Sequence, residues 1–124
     1  MKPAPFPRIL GALTAAYGAY TFARPHSLMR IAGLEPPDLP VSQQRKALGR
    51  AIGARDLASG ASMMLTPAGM AMQGAIMARV ACDLGDAIGF GLAVPPQFRF
   101  RVVAVAAGWG LLCAAAFPSA GRAR

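Results

Sequence analysis

The stretch Val102–Phe117, VVAVAAGWGLLCAAAF, offers no polar face in any direction. A helix that is apolar all round must be enclosed, either by other helices or by lipid. The run Ile9–Ala23, ILGALTAAYGAYTFA, is nearly as bare, with only Thr14, Tyr17, Tyr20 and Thr21 as polar groups. A chain of 124 residues is too short to wrap two such helices in protein, so lipid is the expected surround. Charged residues make up 15% of the chain, against about 25% in an average soluble domain, which points the same way.

Two further apolar runs cover 43–65 and 70–94, with Thr66-Pro67-Ala68-Gly69 as a tight turn between them. Between the first and second long runs, PHSLMRIAGL reads as a short helix on the membrane surface. Pro25 suits its first position, and Gly33 can end it. EPPDLP, 35–40, is an extended linker, and Ser42 is a plausible N-cap. The expected fold is all-α: an integral-membrane four-helix bundle forming a single domain over 1–124. The expected spans are 7–24, 44–65, 70–94 and 101–118, with an interfacial helix at 25–33. The first run is read as a retained helix, since Gly and Tyr interrupt it and no clear cleavage site follows.

The net charge of +8 does not read as a nucleic-acid patch. Basic residues mark the ends of the apolar runs, as membrane anchors do. The connections between spans one and two and between spans three and four hold Arg24, Arg30, Arg45, Lys46, Arg99 and Arg101. The terminal segments hold Lys2, Arg8, Arg122 and Arg124. Six against four favours both termini outside the cytoplasm of a bacterial inner membrane.

The charges inside the runs carry the functional argument. Placing an Arg or Asp at the centre of a spanning helix costs about 2.5–3.5 kcal/mol, which few Leu or Ile residues offset. Yet the second run holds Arg55 and Asp56, and the third holds Arg79, Asp83 and Asp86. The last three are spaced i, i+4, i+7 and share one helix face. Arg55 lies 55 − 43 = 12 residues into its run, and Asp83 lies 94 − 83 = 11 residues from the end of the next. The two sets are therefore at matched depth. Arg55 is expected to meet Asp83 or Asp86, and Arg79 to meet Asp56 or Asp83. Three acids and two arginines leave one carboxyl without an arginine of its own.

Such a cluster has a structural reading and several functional ones. Arg–Asp pairs between membrane helices can serve only to fix partner and register. Intramembrane ionisable residues are also disproportionately functional. The functional reading is a polar pocket for a small or lipophilic ligand, or support for a membrane complex. The rival is a membrane enzyme of the cyclase, isomerase or epoxide-opening type. Asp83 and Asp86 would then be its acid/base candidates, with Arg55, Asp56 and Arg79 as binding or charge-pairing residues. A proton-coupled transporter subunit is a third reading, and it would need oligomerisation.

Other features are expected to be structural. Gly49, Gly53 and Gly60, Gly85 and Gly89, and Gly108 form small faces for helix contact within the chain or between copies. Cys82 and Cys113 are core thiols without metal spacing. Met63, Met64, Met70, Met72 and Met77 cluster near the 66–69 turn and read as flexible filler rather than a Cu(I) site. His26 stands alone, with no triad or phosphate loop to join. No cofactor or metal is expected; the expected partners are the bilayer, a lipophilic small molecule and a second copy.

The segments RIAGLEPPDLP, LGRAIGARDLASGASMML and ARVACDLGDAIGFGLAV together resemble the small four-helix membrane proteins of the uncharacterised DUF4267 family, within the DoxX-like set. The likeness lies in the GL-plus-proline loop, the Arg55-Asp56 pair, and the aspartates Asp83 and Asp86. It implies an integral-membrane helical bundle and brings no reaction with it.

Overall fold

Proline and glycine punctuate the chain into helices. The computed structural model describes residues 5–35, 38 and 40–121. The expectations placed on Lys2, Arg122, Arg124 and linker residues Pro36, Pro37 and Leu39 lie outside them. The helices are α1 (Pro5–Ala23), α2 (Pro25–Ile31), α3 (Gln43–Leu65), α4 (Met70–Ala93), α5 (Pro96–Ala115) and the four-residue α6 (Phe117–Ala120). Among the described residues there is no strand.

The local signals act where the residues suggest. Pro25 occupies the first turn of α2, and Gly33 adopts φ 70° just beyond its end, a conformation that favours glycine. Ser42 Oγ accepts from the Arg45 amide and caps α3. Gly69 takes φ 114° in the turn before α4, and its amide donates to the Ala120 carbonyl at 2.7 Å.

Two boundaries differ most from expectation. α5 begins at Pro96 rather than 101, because proline at a first helical position is pre-organised for the helix. Arg99 and Arg101 therefore sit on its first turns, not in a loop. Pro118 does not stop the chain's helical course. It falls in the first turn of α6, where its missing N–H is tolerated.

The long helices form two close pairs. α1 packs on α3, and α4 packs on α5, while α3 and α4 meet along a narrower seam. The α1–α3 contact runs backbone to backbone. A methyl group on Gly11 would lie 2.7 Å from the Gly60 carbonyl oxygen, and one on Gly53 would lie 2.7 Å from that of Gly18. Gly49 likewise meets Pro25 of α2. The small face of α3 is thus used within the chain. Gly85, Gly89 and Gly108 have nothing within 4 Å of an added methyl and face outward.

Charged and polar groups lie inside the bundle beside an apolar core, and many large apolar groups lie outside. Arg79, Asp56, Asp83, Thr14 and Thr21 are buried. Large apolar side chains are exposed on every long helix, among them Leu13, Leu65, Ile88, Leu92, Phe100 and Leu111. The apolar core lies at the α6 end, where Leu10, Met63, Met72, Ile76 and Cys113 pack together. Cys82 is half-buried, and Met64, Met70 and Met77 are exposed.

By length and composition, the stretch Pro96–Ala120 can cross a membrane, and among the described residues it is the only one to meet that measure. α4 falls short through Arg79, Asp83 and Asp86, and α3 carries still more charges.

Candidate binding site between the helix pairs

Where α3 meets α4, the five charges form one continuous network. Arg79 reaches across to α3, donating from Nη1 to Asp56 Oδ1 at 2.7 Å and to Ser59 Oγ at 2.9 Å. Along its own helix it donates from Nη2 to Asp83 Oδ1 at 2.6 Å and from Nε to Asp83 Oδ2 at 3.2 Å. That second contact is the i, i+4 pair the spacing implies. Arg55 forks onto Asp86, at 2.8 Å to Oδ1 and 2.6 Å to Oδ2, and also donates to Asp56 Oδ1 at 2.8 Å. Fork-shaped pairing of this kind is what a planar guanidinium offers and an ammonium does not.

The helices dictate this arrangement. Arg55 and Asp56 are adjacent, so they diverge by about 100° around α3 and address different parts of α4. Asp56 is buried and points inward, whereas Arg55 lies nearer the rim and closes over Asp86. Arg79 is 1% exposed, so its charge is balanced by its partners and not by bulk solvent.

One expectation is corrected. No carboxyl of the three lacks an arginine: Asp83 has Arg79, Asp86 has Arg55, and Asp56 is shared by both. The surplus of acid is absorbed by one oxygen, Asp56 Oδ1, which accepts from two guanidinium groups. Its second oxygen, Oδ2, accepts from no described residue.

The network forms one end of a cavity of about 430 Å³ between the two helix pairs. Asp56, Arg79, Asp83 and Asp86 line its polar end. The remaining walls are mainly apolar: Leu13, Thr14 and Tyr17 from α1, Leu28 and Ile31 from α2, Ile52 from α3, and Phe90 from α4. Arg101, Val102, Val105, Ala106 and Trp109 of α5 complete it. α1 and α5 make little backbone contact, so the cavity opens sideways between them. Its frame is closed by two polar ties. Trp109 Nε1 donates to Thr14 Oγ1 at 3.0 Å, and Arg101 Nη2 donates to the Ile31 carbonyl at 3.3 Å. The expected surface helix α2 is therefore also a wall of this cavity, with Met29 buried against the bundle.

Sequence reasoning missed Thr14, Tyr17, Ser59 and Trp109. Trp109 carried a usable signal, because an indole N–H in an apolar helix needs an acceptor and hydroxyls are few on the neighbouring runs. Ser59 follows Asp56 by three residues and shares its face. His26 does not line the cavity. Among the described residues, no three His, Cys, Asp or Glu side chains converge as a metal site.

No family model, curated protein or solved structure matches this chain.

Proposed function

We propose that this chain is a small polytopic membrane protein that binds a lipophilic small molecule in the cavity between its helix pairs. The observation that carries this reading is the cavity itself. It measures about 430 Å³, within the range of small-molecule sites, and combines apolar walls with a few converging polar groups at one end. The membrane setting is supported by the outward Leu, Ile and Phe side chains around buried Arg and Asp. In that setting the opening between α1 and α5 faces lipid, a direct route for an apolar ligand.

Binding is preferred to acid–base catalysis on one ground. Asp83 and Asp86 each engage both carboxylate oxygens with an arginine, which suits fixed acceptors more than proton donors.

The test is to fill the cavity from its α5 wall. Ala106→Trp, purified in neutral detergent, is expected to keep its helical circular dichroism and to lose thermal stabilisation by small lipophilic compounds that stabilise the parent protein. Equal stabilisation of both proteins would overturn the reading. Membranes washed with alkaline carbonate should retain the protein, and its release would overturn the membrane setting.

A further inference from the structure

We infer that the cavity selects a lipophilic monocation, with a protonated amine seated on Asp56 Oδ2 and the apolar body between α1 and α5. The inference rests on the cavity reading above and adds the chemical class of the ligand.

The polar end of the cavity is formally anionic. Asp56, Asp83 and Asp86 contribute three negative charges, and Arg55 and Arg79 contribute two positive charges that do not titrate away, leaving −3 + 2 = −1. The guanidinium groups are occupied. Arg79 makes four hydrogen bonds to Asp56, Ser59 and Asp83, and Arg55 is forked onto Asp86 and Asp56. An anionic head group would have to displace one of these contacts.

An acceptor, by contrast, stands open. The Asp56 side chain is 8% exposed and lines the cavity, and its Oδ2 receives no donor from the described residues. Among those residues, the only sealed side-chain polar atoms without a hydrogen bond are Arg8 Nε and Glu35 Oε1, so Asp56 Oδ2 is not sealed, and its side chain lines the cavity. A buried carboxylate oxygen of this kind calls for an N–H or O–H donor. Tyr17, Phe90 and Trp109 line the same space, and aromatic rings attract a cation.

Arg101 is the cation that lines the cavity without a carboxylate partner among the described residues. It makes no ion pair with Asp56, Asp83 or Asp86, and donates to the Ile31 carbonyl instead. Its guanidinium lies 5.5 Å from the centre of the Phe98 ring.

The experiment uses three probes with one apolar body: 1-adamantanamine, 1-adamantanol and 1-adamantanecarboxylate, bound to the full chain in neutral detergent. The amine is expected to bind at least tenfold more tightly than the alcohol, with the carboxylate weakest. Asp56→Asn should abolish the preference for amine over alcohol while leaving alcohol binding within about twofold. If Asp56→Asn does not fold, the three-probe ranking on the parent protein decides. Alcohol or carboxylate binding as tightly as amine would overturn the inference and leave the cavity reading standing. Failure of all three probes to bind would overturn both.

Discussion

Arg79 on α4 donates to Asp56 on α3 across 2.7 Å, and both side chains are more than nine-tenths buried. This bond is the innermost tie between the two central helices. Neither helix would sit comfortably in an apolar medium without the other.

Removing one side of that tie leaves buried charge behind. Arg79→Met strands Asp83 and leaves Asp56 with Arg55 alone, and should destabilise the protein by about 3–5 kcal/mol. Arg79→Met combined with Asp83→Leu removes a whole pair and should recover part of the loss. Reversible thermal or denaturant unfolding in detergent measures both, and additive losses would argue against the pairing.

The glycines divide into two classes with opposite responses. Gly53→Ala forces a methyl to within 2.7 Å of the Gly18 oxygen, so it should wedge α1 from α3 and lower the unfolding midpoint by several degrees. Gly85→Ala meets open space and should be neutral or stabilising by up to about 1 kcal/mol. Parallel melting curves test the pair. A destabilised Gly85→Ala would mean that this face is covered by something outside the single chain.

Trp109 is the single tryptophan of the chain, so intrinsic fluorescence reports on the cavity. Thr14→Val removes the acceptor of its indole N–H, and should destabilise the fold by about 0.5–1.5 kcal/mol. It should also change Trp109 emission and raise its quenching by lipid-soluble bromine compounds. An unchanged spectrum would show that the Thr14–Trp109 tie is not maintained.

One end of the bundle gathers Arg24, Arg30, Arg45, Lys46, Arg50, Arg99 and Arg101, while among the described residues the other end holds Arg8. In the proposed membrane setting, that end should face the cytoplasm. A cysteine introduced at Ser42 should resist a membrane-impermeant maleimide applied to intact cells, and one at Ala68 should react. The reverse pattern would invert the assignment.

The charge network was largely legible in the residues because it follows from spacing. Arg79, Asp83 and Asp86 recur at i, i+4, i+7, and Arg55-Asp56 stands at matching depth, so the contacts across α3 and α4 could be narrowed to a few. What spacing does not reveal is how acceptors are shared. That Asp56 Oδ1 serves both arginines depends on rotamers, which only the packed interior decides. Partner choice was also hidden. The glycines of α3 mark a face made for close approach, but nothing in them says that the neighbour is α1 rather than α4. The place of α2 was legible only in part, because Leu28 and Ile31 look alike whether they meet a lipid surface or a cavity.

The backbone contact of α1 with α3 has a mechanical consequence. Where Gly11 meets Gly60 and Gly18 meets Gly53 there is no side chain left to rearrange, so that pair behaves as a fixed jaw. α5 faces it across the cavity with few ties to α1 beyond the Trp109–Thr14 hydrogen bond. A widening of the gap between α1 and α5 should therefore be a swing of the α4–α5 jaw about the arginine–aspartate seam, released by breaking two hydrogen bonds, Trp109 to Thr14 and Arg101 to Ile31.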